Sequence, residues 1–153
     1  MESTKSADFS ALKTIAFALM AGLALFAAVV TYLITSGSQA GSEAIISPQG
    51  DILLVAGFGL LCLTMSRFLS GKLLGGVTHE ERQDYPTAIG RYRTALILRL
   101  ALLEGPGLLA CVFALVTGNL NLLFVTVFMV AMMWLARPSE TEFAEWQGSS
   151  TRL

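Results

Sequence analysis

Four stretches of about twenty mostly apolar residues decide what this chain can fold into. They run over Thr14–Thr35, Ile52–Ser70, Thr94–Thr117 and Leu120–Ala136. A helix rises about 1.5 Å per residue, so some twenty such residues cross the roughly 30 Å of bilayer hydrocarbon. In hydrocarbon only helices and closed barrels pair every backbone group, and these segments are too long and too uniformly apolar for barrel strands. With 54% hydrophobic and only 14% charged residues in 153, little polar surface is left to clothe a soluble domain of this size. The expected fold is all-α: a polytopic membrane protein, one bundle of four transmembrane helices over residues 1–153, with a short tail, 137–153. The first segment exceeds the roughly 7–15 apolar residues of a signal peptide and has no clear processing site, so it reads as a retained helix.

Lysine and arginine set the expected orientation. Lys5 and Lys13 precede the first helix; Lys72, Arg82, Arg91 and Arg93 fill the second loop; Arg137 and Arg152 follow the last helix. The first loop, Ser36–Gly50, and the turn Gly118–Asn119 have none. Positive residues collect on the cytoplasmic side, so both termini and the middle loop are expected there, in a multi-pass protein of the inner (plasma) membrane. Tyr32, Tyr92 and Trp134 fall near the expected interfaces. The net charge of −1 gives no sign of a nucleic-acid partner. The expected partners are the lipid bilayer and either further copies of the chain or the other subunits of a membrane complex.

Within the helices, small residues mark expected packing faces. In the first, Ala18 with Gly22 and Ala24 with Ala28 are spaced four apart; in the second, Gly59, Cys62, Ser66 and Ser70 recur at three and four. Such stripes let helix backbones approach in lipid. Cys62 and Cys111 sit in different membrane helices, where no oxidising compartment reaches them. The single histidine, His79, makes no metal set. Thr78 with Glu81, and Ser139 with Glu142, have capping-box spacing. Phe143 and Trp146 are expected to rest a short tail helix on the membrane interface.

The strongest chemical signal is Glu104, near the middle of the third apolar run. A charge at the bilayer centre costs at least about 2.5–3.5 kcal/mol, so such residues are partnered or functional. Arg99 is five residues away, about 140° around the helix, and is not a natural intrahelical partner. Gly105, Pro106 and Gly107 follow at once. Pro106 has no N–H to offer the Leu102 carbonyl, so a kink is expected there, with the freed carbonyl beside the carboxyl. Glu104 is the candidate ion-binding or proton-carrying residue, supported by Arg99, Leu102 and Pro106. A protonated acid serving as interhelical glue is the competing reading.

The stretch from Arg82 through Val116 resembles the second half of the proteolipid, or c, subunit of rotary ATP synthases. Arg82-Gln83 and Pro86 stand in the loop where that family carries its Arg–Gln/Asn–Pro signature, and TAIGRYRTALILRLALLEGPGLLACVFALV follows as the helix. The resemblance implies that Glu104 occupies the proton-carrying position of a bacterial four-helix membrane protein. Asp84 and Tyr85 are additional between Gln83 and Pro86, and the second helix has only Gly57, Gly59 and Gly71 where such rings carry a glycine ladder. Two classes of function follow: a component that handles protons or cations through its mid-membrane carboxylate, or a non-catalytic structural or accessory subunit of a membrane complex. No helix carries a His/Asp/Glu cluster, no nucleophile has a base at workable spacing, and no phosphate-cradling glycine loop occurs. An enzyme is therefore not expected, nor are a catalytic residue, a cofactor or a metal.

Overall fold

In the computed structural model, which describes residues 2–37 and 47–148, the chain is a bundle of α-helices with no strand among the described residues. The helices are α1 (Glu2–Thr35), α2 (Pro48–Gly75), α3 (His79–Gln83), α4 (Tyr85–Thr117), α5 (Leu123–Leu135) and α6 (Glu140–Gly148), with a 3-10 turn at Leu120–Leu122 before α5. Three of them, α1, α2 and α4, are long and apolar enough to cross a membrane. A fourth span arises if Leu120–Leu135 and α6, bent by 56°, count as one broken crossing. The all-α, multi-pass architecture is therefore as the apolar runs require. Most of the expected first loop (38–46) and the end of the tail (149–153) lie outside the described residues, as does the His79 side chain.

The outer surface of the bundle is that of an integral membrane protein. Only 17% of the apolar window of α1, 22% of that of α2 and 39% of that of α4 is buried inside the bundle. Leu53, Leu60, Phe124 and Leu135 point outward and are more than half exposed. A soluble bundle would place charged residues there, whereas lipid accepts leucine and phenylalanine without cost.

The long helices extend further than hydropathy marks. Three start earlier than expected: α1 begins at Glu2, α2 at Pro48 and α4 at Tyr85. At 1.5 Å per residue the 34 residues of α1 reach about 50 Å, well beyond the hydrocarbon. Hydropathy reports only the part in lipid, while backbone pairing carries the helix on into water. The segment Leu120–Leu135, by contrast, covers only about 24 Å.

Lipid gives helices no hydrophobic reason to associate, so close fit and polar contacts hold the bundle together. α4 is the central helix, touching α1, α2 and α5. The α2 stripe packs as its spacing predicts: Gly59, Cys62 and Ser66 are buried, and the Ser70 hydroxyl lies 3.5 Å from the Ala95 carbonyl of α4. The small pairs of α1 do not behave as expected. Ala18, Gly22, Ala24 and Ala28 are exposed, and a Cβ added at Gly22 would meet nothing within 4 Å. α1 packs instead through Leu12, Ala16, Leu23 and Val30. The fit is reversed: the notch is Gly107 on α4, and the knob that enters it is Leu23.

One end of the bundle gathers the start of α1, α3 and α6. The rings of Phe9 (α1), Tyr85 and Tyr92 (α4), and Phe143 and Trp146 (α6) form one cluster, with Phe143 at its centre in edge contact with Phe9, Tyr85 and Tyr92. Gln147 Nε2 donates to the Arg82 carbonyl at 3.0 Å, and the Arg82 guanidinium lies over the Trp146 ring. The tail helix is thus folded back onto protein, and Phe143 is buried rather than laid on the interface. The Thr78–Glu81 capping box forms. The Ser139–Glu142 box does not: Ser139 Oγ pairs with Thr141 Oγ1 at 2.6 Å, while Glu142 is drawn 4.0 Å from Arg99. At the other end, Gly118 takes the left-handed conformation (φ 68°) that glycine adopts without strain, and Asn119 Oδ1 accepts the Asn121 N–H, reversing the chain into α5.

Candidate functional site

Glu104 lies on the shoulder of α4. Its neighbours Leu103, Pro106 and Gly107 are buried, whereas Ala101, Gly105 and Leu108 are exposed, and Glu104 itself is partly buried between the two faces. Among the described residues its carboxyl has no hydrogen-bond or ion-pair partner. A Cβ added at the adjacent Gly105 would meet nothing within 4 Å. The carboxyl is therefore presented at the margin of the bundle, next to an open stretch of helix surface.

The three supporting residues go elsewhere. Arg99 is turned away from Glu104 and reaches Glu142 of α6 at 4.0 Å, a loose pair with side chains 28% and 57% exposed. α4 runs unbroken through Pro106, whose ring is buried and lies toward Gly59 of α2. Leu102 is partly buried, and its carbonyl has no Pro106 amide to accept. Pro106 thus serves the contact between α2 and α4 as well as removing a backbone donor.

The polar chemistry inside the bundle lies one and two turns beyond Glu104 along α4, at Gly107 and Cys111. Thr126 of α5, 1% exposed, donates its hydroxyl to the Gly107 carbonyl at 3.0 Å. That spends its one proton, so the Cys111 thiol is the donor in the 3.4 Å contact with Thr126 Oγ1. The result is a short chain, Cys111 to Thr126 to Gly107, in which every hydroxyl and thiol proton is used. It ties α5 to α4 next to the Pro106 step. The sequence carried a signal for it: Thr126 is the only hydroxyl in α5.

Asp51 is the other site not expected from sequence. It sits in the first turn of α2, only 1% exposed, on the same face as Val55, Gly59, Cys62 and Ser66. The helix N-terminus favours a negative charge there. Cys62 and Cys111 are free thiols. No group of three or more His, Cys, Asp or Glu residues able to hold a metal occurs among the described residues.

Compared with protein-family models, with characterised proteins and with solved structures, the chain matches none.

Proposed function

We propose that this integral membrane protein is a subunit that works through Glu104, as a protonatable or cation-binding carboxyl offered at the edge of the bundle to a second transmembrane surface. The single observation that carries the reading is a mid-helix carboxyl, partly exposed and without a partner among the described residues, on a helix whose surface is open at the next residue, Gly105. A carboxyl meant only to glue this bundle together would find its donor inside it, as Thr126 finds Gly107. The resemblance of Arg82–Val116 to the proteolipid hairpin supports the same role. In this reading both termini and α3 face the cytoplasm, in keeping with Lys13, Lys72, Arg82 and Arg137 toward one end of the bundle. The chain is not an enzyme in its own right.

Carbodiimide labelling at neutral pH, combined with proton flux in vesicles, tests it. Glu104 is expected to be modified, and Glu104→Gln to abolish both modification and flux while leaving the helices intact. Flux equal to wild type in Glu104→Gln would overturn the reading. A second reading, a non-catalytic accessory subunit, is favoured by Ala101 and Gly105, an exposed small pair four residues apart beside the carboxyl. A defined hetero-complex in mild detergent that dissociates when Gly105 is enlarged, with no flux in any preparation, would select it.

A further inference from the structure

Where α1 leaves the apolar band and α5 ends, the two helices and the start of α6 border an open-sided cavity of about 540 Å³. It has two chemically distinct ends. Lys13, Arg137 and Glu140 line the polar end; Phe17, Met20 and Trp134 line the apolar one. Lys13, Phe17 and Met20 are spaced four and three apart, so they share one face of α1. Over the seven residues from Lys13 to Met20 that face descends about 10 Å toward the membrane centre.

Charge within the cavity is unbalanced. Lys13 Nζ is paired with Glu140 Oε1 at 2.9 Å. Arg137 is not paired with any carboxylate: its guanidinium lies over the Trp134 ring, 5.2 Å from the centroid, and its side chain makes no hydrogen bond or ion pair with the described residues. One cation therefore remains uncompensated, with its donors held at the junction between an apolar wall and the first turn of α6. A guanidinium in that setting matches a phosphodiester in geometry and charge.

We propose that this cavity binds one anionic phospholipid, its phosphate on Arg137 with Lys13 close by, and its first acyl segment along Phe17, Met20 and Trp134. The net charge of +1 from Lys13, Arg137 and Glu140 selects a lipid of net charge −1 over a zwitterionic one with the same phosphodiester. The apolar wall selects a lipid over free phosphate.

The test uses the full chain in nanodiscs of phosphatidylcholine with and without phosphatidylglycerol, read by lipid adducts in native mass spectrometry and by thermal unfolding. Phosphatidylglycerol is expected to be retained and to raise the unfolding temperature. Arg137→Gln should weaken that retention about fivefold, the equivalent of roughly 1 kcal/mol per cation near an anionic headgroup. Phe17→Trp, which fills the apolar end without touching charge, should also weaken it, and it supplies the answer should Arg137→Gln not fold. Equal retention of phosphatidylglycerol and phosphatidylcholine would overturn the proposal. So would full retention in both variants, or stabilisation by inorganic phosphate alone in phosphatidylcholine discs.

Discussion

Two successive stretches of α4 treat their polar groups in opposite ways. On the buried face, Gly107, Cys111 and Thr126 form a closed chain of donors and acceptors. Three residues before Gly107, one turn away at the margin of that face, Glu104 has no partner among the described residues. Membrane helices cannot draw on water to satisfy a polar group, so the buried face completes its own pairing. The shoulder leaves its carboxyl to be completed from outside. The two glycines flanking Pro106 repeat the contrast: Leu23 fills the space at Gly107, while the space at Gly105 is open.

The largest expected effect comes from breaking that glycine contrast. A Cβ at Gly107 would stand 2.7 Å from Leu23 Cδ2 and 3.2 Å from Cδ1. Leu23 is fully buried, so it has nowhere to retreat. Gly107→Ala should cost about 1–3 kcal/mol through overpacking, and Gly105→Ala should stay within about 0.5 kcal/mol. Unfolding of both variants in detergent measures the difference, and equal costs would erase the distinction between the two glycines.

Next comes the closed chain itself. Thr126→Val keeps the shape but removes the donor to Gly107 and the acceptor for the Cys111 thiol. Interhelical hydrogen bonds in membranes contribute on average about 0.6 kcal/mol and at most about 1.7, so a loss inside that range is expected. Thr126→Ser should restore the pairing at the expense of one methyl group. If serine destabilises as much as valine, the hydroxyl is not what holds α5 to α4.

How much of this was legible beforehand depended on whether a residue's environment follows from its neighbours along the chain. The apolar runs, the Gly118–Asn119 reversal, the Thr78–Glu81 box and the α2 stripe are local patterns, and the structure contains them. The α1 pairs misled because spacing identifies a smooth face without saying what lies against it; here Leu23 entering Gly107 settled the packing. Phe143 misled for a related reason. An aromatic residue near a membrane end suits the interface equally well as it suits a pocket between Phe9 and Tyr92, and only the return of α6 over the bundle decides between them. The partnering of Arg99 by Glu142, 43 residues away, has no local signal at all.

Glu81 offers a smaller and exposed version of the contrast, since its chain supplies the donors that Glu104 lacks. The Thr78 backbone N–H, 3.0 Å from Glu81 Oε2, and then the Thr78 hydroxyl hold its carboxyl below the ordinary 4.5. A depressed carboxylate contributes above its unfolded value and loses that contribution as pH falls through its folded one. Local opening of α3 should therefore increase below about pH 4.5 and not in alkali. Hydrogen exchange of the Glu81 amide is the readout, and Thr78→Ala should reproduce the acid result at neutral pH. A protection factor, the exchange corrected for its intrinsic pH dependence, that stays constant across that range would mean that the box does not order α3.

The smallest expected effect on the bundle alone is that of Glu104→Gln. With no partner among the described residues to lose, the monomer in detergent should change by no more than about 0.5 kcal/mol. A loss near the 1.7 kcal/mol upper end for interhelical bonds would place a donor within the chain and remove the difference between Glu104 and the paired groups at Gly107 and Cys111. The same substitution measured in a bilayer, where a second surface can reach the shoulder, should alter association or flux even though the monomer is unmoved. A carboxyl silent in the isolated bundle and decisive in the membrane is one whose partner lies outside this chain. A carboxyl silent in both is merely tolerated at the edge of the bundle, and the proposed function then fails together with the contrast on which it rests.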